Sequence, residues 1–303
     1  MAIAVLGSIN MDLVAEAPYF PREGETVLGR RFARYPGGKG GNQAVAAARL
    51  GAQVSFYGKV GDDFFGQELL QSLRGNGVNV NAVEQVKGTS SGIASIWVTE
   101  NGENAIVYVP GANALVDTAY VDRVFSQLAA AKVLLLQFEI PLGTLAYLLR
   151  RLPPKSPIVI LDPAPAQDIS GLPVERVDII TPNRSELTTL TGVEELEKAA
   201  YQLLGLGVGK VICKAGAEGA YLFEKNGFHR FPAFPIDPVD TTAAGDAFNG
   251  ALAVALAEGR SLEEAIVWAN AAGALAASRP GAQPSLPTRQ EVEALLRRAG
   301  YGG

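Results

Sequence analysis

Cysteine and histidine, the residues behind disulfides and many metal sites, are nearly absent from this sequence. The 303 residues include one cysteine, Cys213, which excludes a disulfide within the chain and fits a reducing compartment. Because Cys213 ends the apolar run 211–213, we interpret it as a buried strand residue and not a nucleophile. The single histidine, His229, follows Asn226-Gly227, which predicts a surface hairpin. With no second His or Cys nearby, a zinc site is not expected.

Strong positive charge and long apolar runs are also lacking. The net charge is −5 and no strongly basic stretch occurs, which disfavours nucleic-acid binding. Residues 1–6 lack the basic start of a signal peptide, and no uninterrupted apolar run is long enough to span a bilayer. With 48% hydrophobic and 19% charged residues, the chain is globular, and we expect a soluble, cytoplasmic protein.

Short apolar runs alternate with helical patterns along most of the chain. Residues 132–138 and 158–161 have the character of buried strands, and helical patterns at 118–131 and 142–151 precede them. This alternation predicts an α/β fold with a mostly parallel central sheet and helices on both of its faces. Because no internal repeat or linker is evident, we expect residues 1–303 to form a single domain.

One segment interrupts the alternation. Residues 91–100 and 104–109 read as strands and are joined by Asn101-Gly102, the strongest short signal for a β-hairpin. Together with residues 15–35, which could hold short strands, the hairpin predicts a small separate sheet that forms a lid or an edge. The lid segments are expected at about residues 12–36 and 88–112.

Residues 240–250 (DTTAAGDAFNG) are the most informative stretch, because small residues stand where a loop turns into a helix. The first N–H groups of a helix have no partner within it, and the helix dipole is positive there. Ala243, Ala244 and Gly245 leave those groups open to an anion. Asp246 in the same turn is either an ordinary helix-stabilising charge or a general base beside a bound phosphate.

A glycine run at residues 36–42 (PGGKGGN) precedes an apolar helical pattern. It resembles a phosphate cradle, although the Walker spacing is missing. A flexible hinge is the alternative. We interpret the run as a loop that brings Lys39 and Asn42 over a polar ligand, because a lysine among glycines has little to pack against.

Polar residues recur just past predicted strands. Four residues stand at such positions or at the start of a helix: Asp12, Glu139, Asn183 and Asp246. In a parallel sheet, positions of this kind line one edge. Asn10 and Asp12 could bind neighbouring sugar hydroxyls, while an Asx turn is the alternative. A sugar hydroxyl, an arginine or a backbone N–H could partner Glu139. Asn183 and Glu186 could reach a hydrated Mg²⁺, an arrangement equally typical of a helix cap.

These stretches resemble the ribokinase family of sugar kinases over nearly the whole chain. The two long motifs, at residues 37–52 and 240–252, are specific. Shorter matches stand at residues 7–12, 137–139, 181–186 and 279–285 and would be weak alone. The resemblance implies an ATP-dependent kinase of D-ribose or a similar small sugar, with a lid that closes over the sugar and makes a homodimer contact.

The resemblance also implies a role for each matching residue. Asp246 would be the catalytic base toward the 5-hydroxyl, with Gly245, Ala244 and Ala243 forming the anion hole. The sugar would be bound by Asn10, Asp12, Gly38, Lys39, Asn42, Glu139 and Asp246. ATP would be bordered by Asn183, Lys214, Ala215, Gly216, Ala217, Glu218, Gly219, Gly245 and Asn270. Glu186 would act near Mg²⁺, and an activating K⁺ would lie among Asp240, Thr242, Ala276, Arg279, Gly281 and Ser285.

Two rival functions stay open at this point. A related kinase could act on a nucleoside, on deoxyribose or on a keto sugar, and a panel of substrates assayed with ATP would separate these. A non-catalytic sugar- or nucleotide-binding protein is the rival from another class. The presence of both Asp246 and Lys39 favours the kinase, since a binding protein needs no base.

Overall fold

The computed structural model describes residues 3–301. Its strands, in chain order, are β1 (Ile3–Leu6), β2 (Asn10–Ala17), β3 (Arg31–Gly37), β4 (Val54–Tyr57), β5 (Lys59–Gly61), β6 (Glu84–Val86), β7 (Gly92–Thr99), β8 (Asn104–Val109), β9 (Val133–Gln137), β10 (Ile158–Asp162), β11 (Ile179–Ile180), β12 (Lys210–Lys214), β13 (Ala220–Glu224) and β14 (Gly227–Phe231). Its helices are α1 (Lys39–Arg49), α2 (Phe64–Gly75), α3 (Thr118–Ala129), α4 (Leu142–Arg151), α5 (Arg184–Thr191), α6 (Leu196–Gly205), α7 (Ala244–Ala257), α8 (Leu262–Ala277) and α9 (Arg289–Arg298).

The βα alternation builds the predicted central sheet. Its eight strands have the order β14-β13-β12-β11-β10-β9-β1-β4. The strands from β4 to β12 in this order pair in parallel, and β13 and β14 continue the sheet antiparallel. The chain leaves β1 for β4 on one side and returns to β9 on the other, so the direction of winding reverses at β1. In open α/β sheets this switch point, at the carboxyl ends of the strands, is where ligands bind.

Both faces of the central strands are buried, which explains their continuous apolar sequences. Ile3 and Val5 of β1 pack into one core with α1, α7 and α8, while Ala4 and Leu6 pack into a second core with α3, α4 and α6. The alternation follows from successive side chains pointing to opposite faces of a strand. The predicted α/β architecture with helices on both faces is confirmed.

A second sheet stands apart from the first, with strand order β3-β2-β7-β8. Strands β7 and β8 form the hairpin predicted around Asn101-Gly102, and β2 pairs with β7 in parallel. The small separate sheet is therefore confirmed, and it places its first residues, Asn10 and Asp12, immediately after the end of β1.

Other local predictions are also confirmed. Helices α8 and α9 begin with the capping boxes Ser261–Glu264 and Thr288–Glu291. Cys213 is buried, and burial raises the pKa of its thiol to about 11, so it is a poor nucleophile. His229 lies exposed on the hairpin strand β14. Within residues 3–301, none of the helices combines the length and apolar character that crossing a membrane requires.

Candidate active site

Polar side chains from both sheets meet at the switch point beside β1. Glu139, two residues after β9, accepts hydrogen bonds through Oε2 from the Lys39 backbone N–H at 3.1 Å and from Asn10 Nδ2 at 3.3 Å. The same oxygen accepts a hydrogen bond from the hydroxyl of Ser8, a residue that follows β1. Asn113 Nδ2 donates to Asn10 Oδ1 at 2.7 Å and fixes the orientation of that amide. Glu139 therefore joins the two sheets through donors that neutralise part of its charge.

Asp12 lies on the same face of β2 as Asn10, because side chains two residues apart share a face. Burial raises the pKa of its carboxyl to about 7, and the charges of Glu139 and Asp246 add to the effect. Asp12 is therefore close enough to Glu139 and Asp246 for their charges to act on it. No hydrogen-bond donor within residues 3–301 neutralises this carboxyl, so it is available to a ligand.

The glycine run forms the beginning of α1 and not the predicted loop. Strand β3 leads directly into it, and the helix starts at Lys39. Gly38 has φ +83°, and a Cβ there would lie 2.7 Å from the backbone nitrogen of Asn10. A Cβ on Gly37 would lie 2.2 Å from Asp12 Oδ2. Gly37 and Gly38 thus allow the backbone to pass close to β2. The interpretations of the run as a loop or as a flexible hinge were wrong.

Asp246 lies in the first turn of α7 and is 5% exposed. Asn42 Nδ2 donates to its Oδ2 at 2.9 Å, and Gln43 Nε2 donates to its Oδ1 at 3.1 Å. Burial raises its pKa to about 6, while Lys39 and the two amides oppose the shift. A buried carboxyl with a pKa near neutrality is suited to act as a general base. The structure therefore brings Asp246 together with Lys39 and Asn42, as the sequence predicted.

Lys39 is the cation at the centre of this cluster. Burial alone would lower its pKa, but the charges of Asp246, Asp162, Glu139 and Glu186 together raise it above the usual range for lysine. Lys39 is therefore a permanent positive charge between the carboxylates of the site.

Sequence reasoning missed several members of the site. Gln43 Nε2 donates to Asp162 Oδ2 at 2.9 Å as well as to Asp246, and Gln137 Nε2 donates to Gln43 Oε1 at 2.7 Å. Asp162 ends β10 and could have been found by the same rule that identified Glu139. Gln43 and Gln137 lie in the matching stretches 37–52 and 137–139, but the sequence assigns no role to either of them. Nothing in the sequence marks Asn113. The roles of all three follow from packing between elements distant in the chain.

A cavity of about 450 Å³ opens at the N-terminus of α7. Most of its lining is apolar, and the predicted residues Lys214, Gly216, Ala217, Gly219, Ala244, Gly245 and Asn270 contribute to it. Asn270 donates through Nδ2 to the carbonyl oxygens of Phe231 and Pro232, so its amide is fixed. No side chain of the described chain caps α7. The Ala244 N–H donates to Thr241 O at 3.2 Å, and the next two N–H groups, of Gly245 and Asp246, remain available to a ligand.

Two of the predicted nucleotide residues have other contacts in the structure. Glu218 forms an exposed ion pair with Arg184 at 2.7 Å instead of lining the cavity. Asn183 caps α5: its Oδ1 accepts the Glu186 N–H at 2.8 Å, and Glu186 Oε2 accepts the Asn183 N–H at 2.7 Å. The Asn183–Glu186 pair therefore forms the helix cap that the sequence allowed as an alternative. The second carboxylate oxygen of Glu186, Oε1, takes no part in the cap.

Three of the residues predicted to surround K⁺, Asp240, Thr242 and Gly281, are joined by hydrogen bonds. Asp240 Oδ2 accepts the Gly281 N–H at 2.8 Å, and Asp240 Oδ1 accepts the Thr242 N–H at 2.9 Å. The backbone N–H of Val239 donates to Ala277 O at 2.8 Å, which fixes the 240 loop against the end of α8. Arg279 pairs with Glu291 at 2.5 Å, and Ser285 is buried nearby in the following turn.

Comparisons with known proteins agree with this geometry. A family model described as pfkB family carbohydrate kinase matches residues 2–289. The chain is 43% identical to the ribokinase of Bacillus subtilis over 97% of its own length and 99% of that protein. It is 34% identical to a deoxyribokinase of Salmonella typhi, with 98% and 99% covered. The structure of Arabidopsis thaliana ribokinase complexed with ribose and ATP superposes with a TM-score of 0.90 at 34% identity, covering 98% and 99%.

Proposed function

The chain belongs to the pfkB family of carbohydrate kinases, and on that basis we propose that it transfers the γ-phosphoryl group of ATP to the 5-hydroxyl of D-ribose. One observation carries the proposal. Asp246 acts electrostatically on Asp12 and Lys39 of the polar cluster. Its neighbour in the first turn of α7, Gly245, lines the cavity. A base in this position can take the hydroxyl proton while the start of α7 holds the transferring group.

The polar cluster supports binding of a small sugar. Asp12 has free acceptor capacity, and Asn42 Oδ1 is buried without a donor among the described residues. A buried acceptor without a partner is unfavourable until a ligand hydroxyl donates to it. We assign the sugar hydroxyls to Asn10, Asp12, Asn42 and Glu139, with Lys39 and the Gly38 backbone at the edge of the pocket.

The cavity supports binding of the nucleotide. Its apolar walls between α7 and α8 fit a flat aromatic base, and its open helix N-terminus fits phosphate groups. Phosphoryl transfer needs positioned reactants and stabilised charge more than covalent chemistry from the protein. Closure of the β2-β3-β7-β8 sheet, spanning about residues 12–36 and 88–112, would exclude water and limit ATP hydrolysis.

Mg²⁺ and K⁺ complete the proposal. Within residues 3–301 no cluster of three or more acidic, His or Cys side chains forms a cage for a metal. Mg²⁺ is ordinarily held by phosphates and one or two carboxylates, which fits the free oxygen of Glu186. When bound, Mg²⁺ would neutralise phosphate charge. For K⁺ we assign Asp240, Thr242, Ala276, Arg279, Gly281 and Ser285, several through carbonyl oxygens.

An assay of ADP formation with ribose, ATP and Mg²⁺, with and without K⁺, tests this function. We expect ribose-dependent turnover that K⁺ increases, with ribose 5-phosphate as the product. ATP consumption that does not depend on any sugar would contradict the kinase assignment. Because a deoxyribokinase is among the relatives, deoxyribose is the second candidate substrate, and a higher kcat/KM for deoxyribose than for ribose would favour it.

Catalysis should depend on pH through two carboxyl groups. The pKa of Asp12 is raised to about 7 and that of Asp246 to about 6, and both groups act in their ionised forms. Activity is therefore present above these values and lost as pH falls through them. We expect kcat/KM for ribose to decline below about pH 7 and more steeply below about pH 6. A profile that is flat between about pH 5 and pH 8 would contradict both assignments.

A homodimer through the small sheet is also proposed. Phe32 is 66% exposed, Trp97 41% and Val107 66%. Strand register places them on one face, since Phe32 and Trp97 both pair with Ala15, and Val107 pairs with Ser95. An exposed apolar face of this kind is typical of an interaction surface.

We expect sedimentation to give about twice the mass of one chain, and Val107→Asp to shift the protein toward the monomer, because a charge replaces apolar contact. Leu206→Asp is the matched control, since Leu206 is 53% exposed at the end of α6, outside the sheet. A monomeric unmodified chain, or equal effects of the two substitutions, would refute the interface.

A further inference from the structure

Tyr108, on strand β8 of the small sheet, has no role in the proposed mechanism. It is half-buried, and its hydroxyl donates to the backbone carbonyl oxygen of Glu139 at 3.4 Å. Burial and the charge of Glu139 raise the pKa of this hydroxyl, and hydrogen bonds with the side chains of Asn113 and Asn10 oppose the rise. Tyr108 therefore reaches from the small sheet to residues of the proposed sugar pocket.

Strand register places Tyr108 on the same face of the small sheet as Asp12. Asp12 of β2 pairs with Ala94 of β7, and Ala94 pairs with Tyr108 of β8. Paired residues of neighbouring strands point to the same face of a sheet, so these three side chains form a row. The exposed face that carries Trp97 and Val107 is the opposite one, because successive residues of a strand alternate between faces.

The centre of this row leaves room for a ligand. Ala94 is buried and has only a methyl side chain, whereas Asp12 on one side and Tyr108 on the other have longer side chains. A ligand held by Asp12 would lie over Ala94 with the Tyr108 ring beside it. The hydrogen bond to Glu139 fixes the far end of that ring against the loop after β9. Tyr108 thus forms the wall of the pocket opposite Asp12.

The position of this wall decides which end of a sugar it faces. The 5-hydroxyl of the proposed substrate is at Asp246, whose charge acts on Asp12. Tyr108 is bonded to Glu139, so the wall lies at the Glu139 end of the pocket. In ribofuranose, C1 is across the ring oxygen from C4, the carbon that carries the 5-hydroxymethyl group. A substituent on C1 accordingly extends away from the reacting hydroxyl and toward the wall.

We propose that Tyr108 selects a free sugar over a nucleoside, because its ring occupies the space that a base on C1 would need. The proposal rests on the kinase function above and narrows its substrate class to pentoses with an unsubstituted anomeric carbon. The same ring offers an apolar contact surface to the C–H groups of the sugar, which supports ribose binding. Ribose and deoxyribose both satisfy this limit, since neither carries a group larger than a hydroxyl on C1.

Calorimetric binding of ribose and of uridine to the full chain tests this role. Uridine has the same 5-hydroxyl and adds a pyrimidine base at C1. A saturating non-hydrolysable ATP analogue keeps the nucleoside out of the cavity beside α7. We expect the unmodified chain to bind ribose at least about 100-fold more tightly than uridine, because a base would overlap the ring. Tyr108→Ala should weaken ribose binding about 10-fold and strengthen uridine binding about 10- to 100-fold.

Three further variants separate the ring from its hydroxyl and from the fold of the strand. Tyr108→Phe keeps the ring and should keep the preference for ribose. Tyr108→Leu retains apolar bulk if Tyr108→Ala does not fold, and it should also strengthen uridine binding, to a smaller extent. Val109→Ala is the matched control, because Val109 is the next residue of β8, points to the opposite face and is 42% exposed. It should change neither affinity.

Two results would overturn the role of Tyr108. One is an unmodified chain that binds uridine as tightly as ribose. The other is an unchanged ratio of the two affinities in Tyr108→Ala and Tyr108→Leu, including equal weakening of both ligands, which would show a structural role only. Absence of phosphoryl transfer to ribose by the unmodified chain would instead refute the proposed function, while the binding comparison still decides on Tyr108.

Discussion

Replacement of Asp246 by asparagine is expected to lower kcat about 10²- to 10⁴-fold while leaving ribose binding largely intact. The amide has nearly the same shape as the carboxylate, but it cannot accept the proton of the attacking hydroxyl. Asn42 and Gln43 both present N–H donors to Asp246, so the amide oxygen of the variant can keep one bond while its NH₂ group faces the other donor. The measurement is steady-state turnover together with ribose titration.

The control for this variant is Asp237→Asn, an exposed acid in the loop that precedes α7. It changes the net charge by the same amount and should leave kcat unchanged. The assignment of Asp246 as the base fails if Asp246→Asn turns over at nearly the normal rate. It also fails if the loss lies wholly in KM for ribose, because a base acts in the transition state and not in ground-state binding.

The residues that the sequence located correctly share one property. Asp12, Glu139 and Asp246 follow strands or begin a helix, and in a parallel sheet these positions converge on one edge. For Glu139 and Asp246 the convergence follows from the βα alternation, whereas Asp12 reaches the same edge because β2 of the second sheet begins shortly after β1. The effect of the Glu139 and Asp246 charges on the pKa of Asp12, which adds to the effect of burial, is a physical consequence of this convergence.

Other contacts of the site depend on packing that periodicity does not encode. Gln43 faces Asp162 and Asp246 because α1 begins at Lys39, four residues earlier than a start after the glycine run implies. That start in turn depends on contacts of Gly38 with β2, which is distant in space until the sheets form. The sequence pattern indicates which polar residues lie at the carboxyl edge of the sheet. The hydrogen-bond partners of each of these residues depend on tertiary geometry.

Lys214 Nζ donates to Asp162 Oδ1 at 2.7 Å, and this buried ion pair illustrates the same limit. Both residues end strands, so the edge rule places each of them near the site. Their pairing, however, requires β10 and β12 to be separated by only β11, which follows from strand order and not from the local sequence. Strand order is a global property, and the pattern of apolar runs does not determine it.

Replacement of Asp12 by alanine is the second change for which we expect a large effect. It should weaken the binding of ribose and leave the binding of ATP unchanged. A hydrogen bond to a charged group contributes about 1.5–3 kcal/mol, so the loss of two such bonds to sugar hydroxyls should lower kcat/KM for ribose roughly 10²- to 10⁴-fold. Gly37→Ala should reproduce part of this loss, because the added Cβ would lie 2.2 Å from Asp12 Oδ2 and displace the carboxylate. Titrations with ribose and with ATP measure the two affinities separately.

The thermal midpoint of unfolding distinguishes a loss of ribose binding from a loss of folded protein. The pKa of Asp12 is raised from 3.8 to about 7 in the folded chain, so ionisation of Asp12 opposes folding above pH 7. Asp12→Ala should therefore keep or raise the thermal midpoint at that pH while ribose binding is lost. Glu16→Ala, on the same face of β2 but 44% exposed, should change neither quantity. An unchanged KM for ribose in Asp12→Ala, or a lowered midpoint that accounts for the lost activity, would show that Asp12 does not bind the sugar.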